Sequence, residues 1–172
     1  MRMLSKHEAD QLLVGLNLKI GNWNELTNVD SDAVLSKAFR PSRGAVELYE
    51  EARRMLGWIA CGGWTLLQID NSTAPTDEEI AVLEKLVLPA GAQWDVAEQK
   101  SFLFDGISEA SSATDQTGLV LIVFFSLLFE WHVYLTSEHA ASGQRLALQD
   151  GVVYFFGESE AIDTAKVVVS DR

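Results

Sequence analysis

Apolar positions recur at helical spacing in the first part of the chain and at strand spacing in the last. Ser5 and Glu8 form a capping-box pair, and Leu12, Leu13 and Leu16 follow at helical intervals until Gly21, which predicts a first helix near residues 5–18. A short second helix is expected to follow Asp30 or Ser31 and to end before Pro41. After Pro41 and Ser42, an apolar stripe of Ala45, Leu48, Tyr49, Ala52, Met55, Leu56 and Ile59 faces away from Glu47, Glu50, Glu51, Arg53 and Arg54, the pattern of an amphipathic helix. Gly62 and Gly63 end it. Residues 64–70 read as a strand, closed by the turn formers Asn71, Ser72 and Pro75. Thr76 and Glu79 then make a second capping box, and Ile80, Leu83, Leu86 and Val87 supply a buried stripe up to Pro89 and Gly91.

Beyond Gln99 the pattern turns to β. Residues 101–105 read as a short strand, and residues 106–117, rich in Ser, Asp, Thr and Gly, as the longest polar loop and a contact loop. Residues 145–149 and 152–156 flank Asp150-Gly151, the dipeptide favoured in a two-residue type I′ turn. In that register Leu148 faces Val153 and Leu146 faces Phe155, so one face of the hairpin is apolar and must pack inward. A last strand is expected over residues 166–169. The fold class these elements predict is α+β in a single domain, 1–172: N-terminal helices, mostly within residues 1–60, packed on a mostly antiparallel sheet built largely from the C-terminal half.

Residues 117–139, TGLVLIVFFSLLFEWHVYLTSEH, are the most apolar part of the chain. The uninterrupted run extends only from Leu119 to Phe129 and has Ser126 inside it, short of the ~20 residues a membrane helix needs. Val120, Ile122, Val123, Phe124 and Phe125 are β-branched or aromatic and favour a central strand covered on both faces, while a buried helix over 117–128 followed by a short strand stays open. From Glu130 the positions alternate, with Trp131, Val133 and Leu135 on one face and Glu130, His132, Tyr134 and Thr136 on the other.

Charge narrows the partners. Lys and Arg number 13 against 25 Asp and Glu, a net −12, which disfavours direct binding to nucleic acid or anionic lipid and favours a basic partner. Residues 1–54 are neutral, with eight cations and eight acids, whereas residues 98–163 carry ten acids against Lys100 and Arg145, a net −8. A lone Cys61 and an N-terminus without a signal-like apolar segment lead to the expectation of a cytoplasmic protein.

Catalytic chemistry has one candidate, the Glu130-x-His132 pair, whose spacing puts both side chains on one strand face with Glu138 and His139 beyond. A zinc site needs three or four ligands, and the chain has three histidines and one cysteine. No nucleophile elbow, phosphate-binding glycine loop, His-Glu-x-x-His or Cys-x-x-Cys accompanies the pair. The profile is that of a binding protein without a cofactor rather than an enzyme.

The segments WTLLQIDNSTAPTDEEI, LLFEWHVYLTSE and LALQDGVVYFF resemble segments of bacterial immunity proteins from contact-dependent growth inhibition and related polymorphic-toxin systems. That resemblance implies a cytosolic protein that binds and neutralises one cognate toxin domain, without a cofactor, and it carries over no contact residue. A basic, nuclease-type toxin would be met by carboxylates standing in for phosphates. The acids expected to do this are Glu109 and Asp115 in the long loop, Glu138 after the central strand, and Glu158, Glu160 and Asp163 after the hairpin. Two other readings use the same sequence: a phage-type or regulatory inhibitor of a nucleic-acid-handling complex acting by charge mimicry, and a small enzyme or ligand-binding domain centred on Glu130 and His132.

Overall fold

A computed structural model of the chain describes residues 1–30, 35–59, 63–70, 73, 75–86, 101–105, 113–141 and 143–168, with the side chains of residues 86, 113–116, 166 and 167 left aside. Among these, the strands are β1 (Arg2–Leu4), β2 (Leu18–Ile20), β3 (Leu26–Asn28), β4 (Leu35–Phe39), β5 (Thr65–Ile69), β6 (Ser101–Phe104), β7 (Val133–Ser137), β8 (Arg145–Gln149) and β9 (Val152–Gly157). The helices are α1 (Lys6–Leu13), α2 (Ala45–Ile59), α3 (Asp77–Leu86), α4 (Ala113–Leu128) and α5 (Ser159–Val168). The fold is α+β. Seven strands form one sheet in the order β1-β6-β5-β7-β8-β9-β4, every described pair antiparallel, and β2 and β3 form a separate hairpin.

Both faces of the sheet are covered, which explains why β5, β6 and β7 are buried at every position. On one face Leu67, Ile69, Phe102, Phe104, Val133, Leu135, Leu146, Leu148, Val153 and Phe155 pack with Leu48, Ala52, Met55 and Ile59 of α2, Leu83 of α3, Leu119, Ile122 and Val123 of α4, and Ile162 and Ala165 of α5. On the other, Leu4, Leu66, Leu103, Tyr134 and Ala147 pack against α1 and the β2–β3 hairpin through Ala9, Leu13, Leu18, Ile20 and Leu26. The Asp150-Gly151 hairpin has the register its sequence predicts, Leu146 opposite Phe155 and Leu148 opposite Val153, with φ of 51° and 66° at the two turn residues as a type I′ turn requires. Both capping boxes form: Glu8 N–H donates to Ser5 Oγ at 3.3 Å and Ser5 N–H to Glu8 Oε2 at 2.8 Å, and Thr76 and Glu79 repeat the geometry at α3. The hydrogen bonds from Ser5 hold the Glu8 carboxyl below its usual range.

Several expectations fail for physical reasons. The preferred central strand over 117–128 is the helix α4, and the strand β7 begins only at Val133. Its β-branched and aromatic residues tolerate the helix because α2, α3 and the sheet surround it, so burial outweighs propensity. Ser126 fits the buried helix by donating from Oγ to the Ile122 carbonyl at 2.8 Å. The polar loop expected over 106–117 therefore gives way to α4 from Ala113 onward. Residues 166–168 are not a strand but the end of α5, since β4 already occupies the free edge of β9 and Ile162 and Ala165 reach the core at helical spacing. The short helix expected after residue 30 is replaced, in its described part, by β4, whose register sets Lys37 opposite Phe155 and Phe39 opposite Val153. The first helix ends early, at Leu13, and a 3-10 turn (Val14–Leu16) follows, closed by Asn17 in the left-handed conformation at φ 56°. The first sixty residues thus supply β1 to β4 as well as α1 and α2. No helix among the described residues is long and apolar enough to cross a membrane.

Candidate functional site

The strand registers sort the exposed charges to the two ends of the sheet. At one end β6, β7 and β9 finish while β5 and β8 begin, because Thr65 lies opposite both Phe104 and Ser137, and Arg145 opposite Phe156. Asp105, Glu138, Glu158 and Glu160 follow these strand ends, and all four are exposed. Asp30 joins them, since Arg145 binds Asn28 at the end of β3, and Val29 N–H donates to Asn17 O at 3.0 Å. One exposed cation lies at this end as well: Arg2 is opposite Leu103, so β1 begins where β6 finishes, and its guanidinium stands 3.9 Å from the Glu8 carboxylate. A second arginine, Arg145, is buried, lying 3.9 Å from the Phe156 ring centroid. Burial pulls that guanidinium down to about 10, with nearby Tyr134 opposing.

Glu138 is held in place. Its backbone N–H donates to Trp64 O at 2.9 Å, its carboxylate accepts from Trp64 N–H at 3.3 Å, and the carboxylate fills the space where a Cβ on Gly63 would stand. Gly63 has φ of 69°, so this glycine does more than end a helix: it makes room for an acid. Glu158 stands just ahead of α5, its carbonyl accepting from Ile162 N–H at 3.0 Å, while Glu160 and Asp163 lie on the exposed side of that helix rather than in a loop. Of the other two acids expected at a partner surface, Glu109 lies outside the described residues, and Asp115 falls in the first turn of α4 rather than in a loop.

The opposite end is mixed in charge. Here β8 turns into β9 at Asp150-Gly151, β4 runs out toward Arg40, and α4 ends before β7. A groove of about 530 Å³ is lined by Arg40, Ser42 and Arg43 on one side and Glu130, Asp150 and Gly151 on the other. Trp131 N–H donates to Ser126 O at 3.0 Å, closing α4 with the 6→1 bond of a Schellman motif, and Glu130 occupies the left-handed position of that motif at φ 57°. His132, read in the sequence as sharing a strand face with Glu130, precedes β7 and pairs instead with Asp150: its Nε2 lies 3.0 Å from Oδ1, and the Asp150 backbone N–H reaches the same nitrogen at 3.2 Å. No group of three or more His, Cys, Asp or Glu among the described residues gathers as metal ligands would.

Just across the sheet at this end, Tyr134 Oη donates to Asp70 Oδ2 at 3.3 Å and accepts from Gln149 Nε2 at 2.6 Å. Burial, reinforced by the Asp70 charge, pushes the Tyr134 phenol well above its ordinary range, so it stays a donor. Sequence reasoning missed Asp105 and Asp30 as members of the acidic end, and Arg40, Arg43 and Asp150 as neighbours of Glu130. The hairpin register held part of the signal: once β8 is paired with β7, Leu148 falls opposite Val133 and Asp150 comes beside His132.

Comparison with known proteins adds no neighbour: no family model matches the chain, and neither a curated protein nor a solved structure does.

Proposed function

We propose that this chain is an inhibitory binding protein, of the kind immunity proteins represent, that neutralises a basic, nuclease-type toxin domain through its acidic end. The observation that carries this reading is the convergence of Asp30, Asp105, Glu138, Glu158 and Glu160, exposed and from separate segments, at one end of the sheet, where the start of β1 adds the exposed cation Arg2. Clustered carboxylates of this sort raise the encounter rate with a basic surface and occupy the positions where phosphates would bind. Rigid mounting helps, since Glu138 is seated on Gly63 and Glu160 projects from a packed helix, so little side-chain or loop freedom is lost on binding.

The test begins with the product of the neighbouring gene, co-purified with the tagged protein. Reversing Glu158, Glu160 and Asp163 to Lys together is expected to slow association about tenfold or more at low salt and to flatten its dependence on ionic strength. Unchanged association kinetics would remove this surface from the function. The rival reading, charge mimicry against a nucleic-acid-handling complex, uses the same carboxylates and is separated by whether the neighbouring gene encodes a toxin.

A further inference from the structure

At the end away from the carboxylates, opposite charges share a groove without pairing. Arg40 and Arg43 stand on one wall and Glu130 and Asp150 on the other, above apolar contacts that include Leu48 and Leu127, and the volume of about 530 Å³ lies within the range of small-ligand sites. Neither arginine forms an ion pair among the described residues, and the Glu130 carboxylate accepts no hydrogen bond there.

Both walls are built rather than incidental. The loop carrying the arginines is pinned by Glu51, only 5% exposed, whose carboxylate accepts from Ser42 N–H at 2.9 Å and from Ser42 Oγ at 2.5 Å. The facing wall is the type I′ turn, with Asp150 braced by His132. Glu130 adds a second kind of observation. It sits at the helix-ending position where glycine is the least strained residue, and its carboxylate makes no hydrogen bond or ion pair among the described residues that would offset that strain. A side chain kept against local preference and left without an internal partner points to a partner from outside.

We infer that this groove binds a small zwitterion, an amino acid or a short peptide, whose carboxylate meets Arg40 and Arg43 and whose ammonium meets Glu130 and Asp150. A ligand with both charges satisfies both walls at once, whereas a singly charged one leaves one wall facing a like or absent charge. The site is separate from the acidic end, so it stands or falls independently of the inhibitor reading.

Straight-chain ω-amino acids serve as rulers: glycine, β-alanine, γ-aminobutyrate and ε-aminocaproate, titrated against the intact chain while the amide shifts of Gly151 and Ser42 are followed. One chain length is expected to bind more tightly than its neighbours and about tenfold more tightly than butyrate or butylamine, the worth of one charge-assisted hydrogen bond at the low end. Arg43→Gln and Glu130→Gln should each lose about tenfold for that ligand, while Lys19→Gln, on the β2–β3 hairpin, should leave its binding unchanged. The inference is overturned if no member gives a saturable shift, if butyrate binds as well as the best zwitterion, or if Glu130→Gln binds it unchanged. The ruler series needs no variant, so an outcome is read even if a substitution disturbs folding.

Discussion

A left-handed backbone position beside a glutamate occurs at both ends of the sheet, and Gly63 and Glu130 fill it in opposite ways. At the acidic end the residue is Gly63, φ 69°, and a glutamate from another segment, Glu138, lies over it. At the mixed end the residue is itself a glutamate, Glu130, φ 57°, and the neighbouring glycine, Gly151, lies beneath its side chain, where a Cβ would stand 3.2 Å from Oε1. The first arrangement is unstrained and fixes a glutamate through two hydrogen bonds with Trp64, one from its backbone N–H and one to its carboxylate. The second accepts strain and leaves a carboxylate unbonded. The first suits a rigid surface that meets a large partner, and the second a pocket that completes itself with a ligand.

The largest stability effect is expected where the unstrained arrangement is disturbed. Gly63→Ala places a Cβ in the left-handed region, at a cost of roughly 1–2 kcal/mol, and into the space the Glu138 carboxylate holds. Urea unfolding should show a loss at or above that range, and the double change with Glu138→Ala should recover the part due to the clash. If Gly63→Ala loses less than about 0.5 kcal/mol, the carboxylate is not fixed there and the contrast between the ends dissolves.

How far these ends were legible follows from the kind of signal each uses. Asp150-Gly151 announced itself, because a two-residue turn with positive φ at both positions has few sequences that fit. Both capping boxes were equally readable, being local pairs three residues apart. α4 was not: an apolar run without a polar face has no period to read, and only its neighbours decide between helix and strand. From that single ambiguity followed the misplacement of Glu130 and His132 on one strand face. α5 failed in the same way, since its Lys166-Val167-Val168 end looks like strand until Ile162 and Ala165 are seen to reach the core. The acids were legible as composition but not as a surface, because Asp105, Glu138 and Glu158 meet only through strand register.

The mixed end buries a phenol, and alkaline pH tests its part in stability. The Tyr134 phenol, raised by burial and by Asp70, stays protonated in the folded chain at pH values where the unfolded chain has lost the proton. Its contribution is therefore fully present below the ordinary tyrosine value near 10 and is lost as pH rises beyond it, with a slope of at most about 1.4 kcal/mol per pH unit. Tyr134→Phe should be less stable at neutral pH, having lost bonds to Asp70 and Gln149, yet fall less steeply than the parent above pH 10. Parallel slopes for the two proteins would show that the phenol does not carry the alkaline limb.

The smallest effect has the opposite sign and bears most directly on why Glu130 is there. Glu130→Gly relieves a left-handed non-glycine residue at the end of α4 without touching the Trp131 to Ser126 bond, so the helix should close more readily and the protein gain about 0.5–1 kcal/mol. The gain would be partly offset by the freer unfolded chain that glycine gives. A variant that is more stable, associates with the proposed toxin partner at the parental rate and no longer holds the zwitterion would place Glu130 as a residue retained for binding at a cost in stability. A variant that is destabilised by more than about 0.5 kcal/mol would mean instead that the side chain packs usefully on Gly151, and the two left-handed positions would then be alike in being structural.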